Sequence, residues 1–215
     1  MNKPVSGLYA ITPEVTDSSN LFEKVNAALR GGAQVVQYRA KYIPESLRRA
    51  QAEVIADCCR SHNALFIIND SIALARAVHA DGIHIGLNDA DVPMARAALG
   101  RGTLIGVSCY NDMTRARNAV SLGADYVAFG SFYPSMTKPM AVRANLELLK
   151  IAASELNVPV VAIGGINQDN AETLISAGAD AVAVLAALFD APDIEAQARR
   201  FARLFQPDLI SKQNL

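Results

Sequence analysis

The sequence predicts a single α/β domain over residues 1–215, built as a (β/α)₈ TIM barrel. Eight short apolar runs alternate with eight amphipathic segments along the chain, which is the pattern of βα units around a parallel sheet. Eight such units in about 200 residues match the size and order of a compact barrel. A doubly wound sheet is less favoured, because Thr12-Pro13-Glu14 follows the first run where a glycine-rich fingerprint would stand.

The predicted strands coincide with the apolar runs, and the predicted helices fill the intervals. We expect strands at 8–11, 35–38, 65–68, 83–85, 104–107, 126–129, 160–163 and 181–185. We expect helices at 20–30, 44–62, 71–79, 90–99, 111–122, 144–155, 169–177 and 192–205. Pro44, Asn111-Asp112 and Pro192 suit the starts of three of these helices. Residues from about 207 to 215 are expected to be a poorly ordered tail.

A weak internal repeat marks three junctions between a helix and the next strand. The repeat consists of Gly32-Ala33-Gln34-Val35, Gly123-Ala124-Asp125-Tyr126 and Gly178-Ala179-Asp180-Ala181. Glycine is favoured just after a helix, because the backbone turns left-handed there. The repeat therefore supports βα units of a common design.

Composition excludes several function classes. A net charge of -1, with no basic tract and no tryptophan, argues against nucleic acid as a partner. No apolar run approaches the roughly 18 residues of a membrane span, and the first residues lack the apolar segment of a signal peptide. We therefore expect a cytoplasmic protein with no membrane partner, while homo-oligomerisation stays open. Cys58, Cys59 and Cys109 have neither disulfide nor metal spacing, so we expect reduced, structural thiols.

Active sites of such barrels lie where strands end and βα loops begin. The residues of interest at these ends are Gln37, Arg39 and Lys41, then Asn69 and Asp70, then His84, Gly86, Asn88 and Asp89, then Ser108, then Ser135, Thr137 and Lys138, then Gly164 and Gly165, and finally Leu185 and Ala186. Arg39 and Lys41 lie two residues apart on an extended chain, so both project to one side and suit an anionic ligand. The long loop at 131–143 is a candidate lid.

Two acidic residues follow neighbouring predicted strands. Asp70 and Asp89 could converge on Mg²⁺, which prefers oxygen ligands and is often held by one or two carboxylates plus phosphate oxygens. Each could instead cap the helix that follows it. The cations Arg39, Lys41 and Lys138 favour the first interpretation, because acids and cations together describe a charge-balanced site for pyrophosphate with its metal.

A second anion signal follows the seventh strand. Gly164-Gly165 precedes Asn167 and the next predicted helix, and barrel enzymes often bind phosphate on the loops after strands seven and eight. The glycine pair could also serve only as a tight turn.

His84 and Cys109 are weaker candidates for chemistry. His84 alternates with apolar neighbours on a strand, so a general base and a hydrogen-bonded structural histidine both remain open. Cys109 follows Ser108 and should face away from it, so we do not expect it to be a nucleophile.

The combination of motifs resembles the thiamin phosphate synthase family from about Leu8 to Phe205. The matching motifs are Gln37-Tyr38-Arg39-x-Lys41, Asn69-Asp70, Asp81-Gly82-Ile83-His84-Ile85-Gly86-x-x-Asp89, Gly106-Val107-Ser108, Ser135-x-Thr137-Lys138 and Ile163-Gly164-Gly165-Ile166. The resemblance implies a (β/α)₈ transferase. Its reaction joins 4-amino-5-hydroxymethyl-2-methylpyrimidine pyrophosphate to 4-methyl-5-(2-hydroxyethyl)thiazole phosphate, with dissociative, Mg²⁺-assisted loss of pyrophosphate.

The resemblance also implies roles for individual residues. The pyrimidine pyrophosphate would contact Arg39, Lys41, Asn69, Ser108 and Lys138. Of these, the residues acting in catalysis would be Arg39, Lys41, Ser108 and Lys138. Gln37 would face the pyrimidine. Asp70 and Asp89 would hold Mg²⁺. The thiazole phosphate would lie against Ser135, Thr137, Gly165, Leu185 and Ala186.

Three residues depart from the family pattern. Leu87 replaces a usual glutamine, Ala186 a common serine and Asn145 a usual glycine. Each departure changes a contact and leaves the charged set intact.

Two alternative functions remain open. They are thiazole tautomerase on the same barrel and a non-catalytic barrel that binds thiamin precursors or phosphates. Cys109-Tyr110 stands where the tautomerase is expected to carry a histidine, and the cationic set would be surplus there.

Overall fold

The computed structural model describes residues 4–86, 91–134 and 142–206, and these form a closed barrel of eight parallel strands. The strands are β1 (Gly7–Ile11), β2 (Val35–Tyr38), β3 (Leu65–Asn69), β4 (Gly82–Ile85), β5 (Leu104–Tyr110), β6 (Tyr126–Phe129), β7 (Val160–Ile163) and β8 (Ala181–Val184). Pairing of β8 with β1, with Ala183 opposite Tyr9, closes the sheet. The predicted fold class and all eight strands are confirmed.

Helices cover the outside of the barrel. They are α1 (Ser18–Arg30), α2 (Glu45–Ser61), α3 (Ile72–Ala77), α4 (Val92–Leu99), α5 (Met113–Ser121), α6 (Leu146–Glu155), α7 (Gln168–Ser176), α8 (Ala186–Phe189) and α9 (Ile194–Arg203). Eight match the predicted segments within a few residues. The sequence did not predict α8, because four residues are too few to show helical periodicity. The predicted tail at 207–215 lies outside the described residues.

The core has two layers on either side of the sheet. One layer fills the barrel interior and includes Tyr9, Val35 and Tyr126. The other lies between sheet and helices and includes Val36 and Phe129. Val35 and Val36 are adjacent in β2 yet belong to different layers, because successive side chains of a strand point to opposite faces. No helix in the described part of the chain is long and apolar enough to cross a membrane.

The repeat at the helix-to-strand junctions has a structural cause. Gly32, Gly123 and Gly178 all have positive φ, between 96° and 105°, which confirms the expected left-handed turn. The carboxylates of Asp125 and Asp180 each accept a hydrogen bond from a backbone N–H at the start of the neighbouring strand, at 2.8 Å. Asp81 makes the same contact before β4, at 2.8 Å. These acids satisfy backbone donors that the ladder would otherwise leave unpaired.

The helix caps that were weighed as alternatives to metal binding at Asp70 and Asp89 fall on other residues. Ser71, rather than Asp70, caps α3, and its hydroxyl accepts a hydrogen bond from the backbone N–H three residues on at 3.2 Å. Asp91 caps α4 in the same way at 2.8 Å, so the cap lies two residues beyond the predicted Asp89, which is outside the described residues. The correction removes the capping role that competed with ligand binding for Asp70.

The other three predicted helix starts hold to within one residue. Asp112 caps α5. Pro44 occupies the N-cap position of α2 without a side-chain hydrogen bond. The cap of α9 is Asp193 rather than Pro192, because proline has no side-chain acceptor for the free backbone donors.

Candidate active site

A cavity of about 380 Å³ opens at the carboxyl ends of the strands. Seven of the predicted substrate residues line it, namely Gln37, Arg39, Asn69, Ser108, Gly165, Leu185 and Ala186. Ile11, Val161 and Ile163 contribute apolar wall. A concave, mostly apolar space with a few converging polar groups is the usual form of a small-molecule site.

Arg39 lies in the loop after β2, beside an acid that the sequence did not single out. Its backbone N–H donates to Thr12 Oγ1 at 3.1 Å, and its Nη1 lies 4.0 Å from Glu14 Oε2. Glu14 also accepts a hydrogen bond from the backbone N–H of Tyr42. The loop after β1 therefore positions both the main chain and the guanidinium of Arg39. No sequence signal marked Glu14, because it acts by contact with a distant loop.

Lys41 pairs with Asp70 at the end of the neighbouring strand. Lys41 Nζ lies 2.9 Å from Asp70 Oδ2, and both side chains are partly exposed. Asp70 has a φ of 63°, and its backbone N–H donates to the His84 carbonyl at 2.9 Å. This contact ties the end of β3 to β4. Neither Lys41 nor Asp70 lines the cavity, so the ion pair lies outside the cavity lining.

The structure describes only one of the two predicted magnesium ligands, Asp70. Asp89 lies outside the described residues, and among the residues that are described no group of three His, Cys, Asp or Glu side chains could hold a metal ion. Asp70 fits the part of a single carboxylate ligand, because it lies at a strand end with part of its side chain exposed. Its present partner is Lys41, so a cation would have to share that carboxylate.

Five polar side chains form a hydrogen-bonded row at the floor of the cavity, in the order Gln37, Tyr9, Tyr126, His84 and Ser108. Gln37 Nε2 donates to the Tyr9 hydroxyl at 2.7 Å, and the Tyr9 and Tyr126 hydroxyls lie 3.0 Å apart. Tyr126 lies 3.1 Å from His84 Nδ1, while His84 Nε2 lies 2.8 Å from Ser108 Oγ. Of the two roles left open for His84, the geometry favours the hydrogen-bonded structural one. Tyr9 and Tyr126 escaped sequence reasoning because they lie within apolar strands.

Burial keeps both tyrosines of this row protonated. Tyr9 and Tyr126 are 1% and 0% exposed, and desolvation raises the pKa of each phenol above its ordinary value. Gly106 makes room for the Tyr126 ring, since a Cβ at that glycine would lie 1.9 Å from Tyr126 Cζ. The hydroxyls therefore serve as neutral donors and acceptors at fixed positions.

The glycine pair after β7 forms a second wall of the cavity, separated from Arg39 after β2 by the ends of β1 and β8. Gly164 and Gly165 line the cavity, with φ of 103° and 63°. A Cβ at Gly165 would lie 2.3 Å from the Pro134 carbonyl oxygen, so a larger residue does not fit. Asn170 Nδ2 donates to the Gly165 carbonyl at 3.1 Å. Because the Gly165 carbonyl oxygen already accepts a hydrogen bond, the turn suits an anion better than it would with that carbonyl unpaired.

Two departures from the family pattern have clear structural positions. Ala186 is the first residue of α8 and lines the cavity next to Leu185, so a methyl group stands where the family commonly has a hydroxyl. Asn145 caps α6, and its side chain accepts from the Leu148 N–H at 2.8 Å. The asparagine thus serves the helix start rather than the cavity.

Several predicted site residues lie outside the described part of the chain. They are Ser135, Thr137, Lys138 and Asp89, together with Leu87 and Asn88. The described start of the 131–143 loop is held at Ser131, whose backbone N–H donates to the Val142 carbonyl at 2.9 Å. The role of this loop as a lid stays a prediction.

The cysteines are free thiols, as expected. Cys58, Cys59 and Cys109 form no disulfide. Cys109 is fully buried in the layer between sheet and helices, whereas Ser108 lines the cavity. Burial raises the pKa of the Cys109 thiol to about 12. The expectation that Cys109 faces away from Ser108 is confirmed, and its raised pKa leaves it a poor nucleophile.

Comparison with known proteins shows which family the chain resembles. Residues 8–188 match the family model described as thiamine monophosphate synthase. A thiamine-phosphate synthase of Methylobacillus flagellatus is 54% identical over 202 residues, which cover 94% of this chain and 96% of that protein. A thiamine-phosphate synthase of Nitrosospira multiformis is 50% identical over 204 residues, which cover 95% of this chain and 87% of that protein.

A solved structure gives the same relation at the level of the fold. A thiamine phosphate pyrophosphorylase from Pyrococcus furiosus superimposes with a TM-score of 0.85 at 32% identity, covering 94% of this chain and 96% of that chain. The matched residues 8–188 include Arg39 and the glycine pair Gly164-Gly165 of the cavity. The chain belongs to the thiamine monophosphate synthase family.

Proposed function

We propose that this chain is a transferase that joins 4-amino-5-hydroxymethyl-2-methylpyrimidine pyrophosphate to 4-methyl-5-(2-hydroxyethyl)thiazole phosphate, giving thiamine phosphate and pyrophosphate. One observation carries the proposal. A single cavity has a cationic wall at Arg39, near the end of β2, and a glycine wall at Gly164 and Gly165 after β7. In the closed barrel these strands lie in different sectors. Two phosphorylated substrates could therefore approach each other with their charged ends held apart.

The pyrimidine would occupy the floor of the cavity. Gln37 is 4% exposed and its side chain reaches the cavity, so its amide can hydrogen-bond a heterocycle. Apolar walls at Ile11 and Val161 would cover the ring faces. Asn69 and Ser108 line the same space and can donate to the first phosphate group.

The leaving group would meet positive charge. Departure of pyrophosphate leaves a cation delocalised by the amino group of the pyrimidine, so the enzyme must chiefly stabilise charge on the leaving group. Arg39 lines the cavity and Lys41 follows it in the same loop. Asp70, with Asp89 from the sequence, would hold Mg²⁺, which supplies further neutralisation of phosphate charge when bound. Lys138 stays a sequence-based candidate for the same task.

The thiazole phosphate would be held by the glycine wall. Gly165, Leu185 and Ala186 line it, and the sequence adds Ser135 and Thr137. Anchoring the phosphate there would present the thiazole nitrogen to the pyrimidine methylene. Proximity of two bound reactants can contribute about 7–11 kcal/mol to lowering a barrier. No strong base is needed, because the nitrogen attacks with its own lone pair.

Incubation of the purified protein with both precursors and Mg²⁺ tests the proposal. We expect thiamine phosphate and pyrophosphate in equal amounts. Absence of both products, together with isomerisation of a carboxylated thiazole phosphate, would contradict it in favour of the tautomerase alternative. Tight binding of both precursors without turnover would favour the non-catalytic alternative. Cytoplasmic location stays a prediction of the sequence, which leaves homo-oligomerisation open.

A further inference from the structure

We propose that the row Gln37–Tyr9–Tyr126–His84–Ser108 has a fixed direction of hydrogen bonding, which holds the Ser108 hydroxyl as a donor towards the cavity. Tyr126 and His84 are then positioning residues for the loss of pyrophosphate. This inference rests on the proposed function, in which Ser108 faces the pyrimidine pyrophosphate. The row draws on β1, β2, β4, β5 and β6, so most of the barrel takes part in holding it.

The direction follows from counting hydrogens, starting from the assigned orientation of the Gln37 amide. Gln37 Nε2 donates to the Tyr9 oxygen at 2.7 Å, which leaves the Tyr9 hydrogen for the Tyr126 oxygen 3.0 Å away. The Tyr126 hydrogen is then directed at His84 Nδ1, at 3.1 Å. A neutral histidine whose Nδ1 accepts carries its hydrogen on Nε2. His84 Nε2 would therefore donate to Ser108 Oγ at 2.8 Å.

Burial makes the row act as a unit. Tyr9 is 1% exposed and Tyr126 is 0% exposed, so neither hydroxyl can exchange its partner for bulk water. An unpaired hydroxyl in such a place is costly. Burial also raises the pKa of both phenols, which keeps a hydrogen on each. A reversal at one position would therefore require a reversal along the whole row.

The direction decides what Ser108 offers to a ligand. With Oγ already accepting from His84, the serine hydrogen is available to an oxygen in the cavity, and a donor stabilises negative charge on a departing phosphate. In the opposite direction, Gln37 is turned about its amide, His84 carries its hydrogen on Nδ1 and Ser108 donates to His84. Ser108 would then present lone pairs to an anion. Side-chain amides and imidazoles can adopt either state, so the direction is open to measurement.

Nitrogen-15 NMR of histidine-labelled protein measures the direction without any substrate. The chain has three histidines. His84 is buried, whereas His62 and His79 are exposed and follow helices. Substitution of each in turn assigns the signals. We expect His84 as the Nε2–H tautomer, with its Nδ1 shift altered in Tyr126→Phe. The Nδ1–H tautomer would overturn the proposal, even if the protein proves to be the proposed synthase.

Kinetics test whether the row acts through Ser108. Removing one oriented donor from a charge-stabilising site typically lowers kcat by about 10²–10³-fold, and we expect Ser108→Ala to reach the lower part of that range. Tyr126→Phe should lower kcat by about tenfold, the equivalent of one hydrogen bond, with little change in KM for the pyrimidine pyrophosphate. In the Ser108→Ala background, Tyr126→Phe should cause no further loss. A full additional loss would overturn the proposed coupling.

A matched control separates positioning from general damage. Tyr38 is another buried tyrosine, but its hydroxyl donates to Gln51 Oε1 at 2.8 Å on the helix side of the sheet. Tyr38→Phe removes a buried hydroxyl with one hydrogen bond, whereas the Tyr126 hydroxyl takes part in two, and we expect Tyr38→Phe to retain wild-type kcat. His84→Gln keeps an N–H donor within reach of Ser108 and should retain more activity than His84→Leu. Equal loss of kcat in the Tyr38 and Tyr126 variants, or in the two His84 variants, would contradict the positioning role.

Discussion

Replacement of Asp70 should separate its part in ligand binding from its part in stability. The Asp70–Lys41 pair joins Oδ2 and Nζ at 2.9 Å, with 25% and 45% of the two side chains exposed. At that exposure solvent screens the pair, which contributes at most about 1 kcal/mol to the free energy of unfolding. Asp70→Asn keeps the shape and tolerates the φ of 63°. We therefore expect the melting temperature to fall by no more than about 2–4 °C.

Asp70→Ala should be less informative, because the backbone adds its own cost. Alanine in the left-handed region costs about 1–2 kcal/mol, which would be added to the loss of the pair. Both variants should nevertheless lose activity alike. If the carboxylate holds the metal that neutralises pyrophosphate, kcat/KM should fall by about 10²-fold or more. The difference between the two variants would then lie in stability alone.

The assays are thiamine phosphate formation and urea unfolding of the same preparations. Glu155→Gln is a suitable control, because Glu155 and Arg117 form an ion pair at 2.6 Å with both side chains about half exposed, on the helical surface of α5 and α6. That variant should show a similarly small change in stability and full activity. Near-wild-type activity of Asp70→Asn would refute a role for this carboxylate in the reaction.

Two further substitutions probe the glycine wall and a helix start. Gly165→Ala should raise KM for the thiazole phosphate more than KM for the pyrimidine pyrophosphate, because its Cβ would meet the Pro134 carbonyl oxygen at 2.3 Å. Equal changes in the two KM values would argue against a thiazole phosphate site at Gly165. Asn145→Ala should lower the free energy of unfolding by about 1 kcal/mol and leave kcat unchanged, whereas Asn145→Gly should lower it by only a few tenths of a kcal/mol. Urea unfolding measures both changes. A fall in kcat would place Asn145 in the site.

The barrel itself could be predicted because its signals are local. Apolar runs, glycine after helices and proline or acidic residues at helix starts depend on neighbours in the chain. Helix α8 was missed, because four residues carry no periodicity. Asp70 was weighed as a possible cap of α3, whereas Ser71 caps it, since adjacent residues of similar capping preference cannot be ranked by type alone.

The site was predictable only where a residue type has a recognisable chemistry at a strand end. Arg39, Asn69 and Ser108 met that condition, and the structure places all three on one cavity. Tyr9 and Tyr126 did not, because an inward-facing tyrosine within an apolar strand resembles ordinary core. The contact between Arg39 and Glu14, at 4.0 Å, depends on how two loops meet, which no spacing in the sequence encodes.

A crystal structure with both products bound would test most directly the division of the cavity into two anion-binding walls. We predict that pyrophosphate lies against Arg39 and Lys41, with Ser108 donating to it. We predict that the phosphate of thiamine phosphate lies against Gly165 on the glycine wall. Pyrophosphate bound at the glycine wall, or both anions on the same side, would contradict the proposed arrangement.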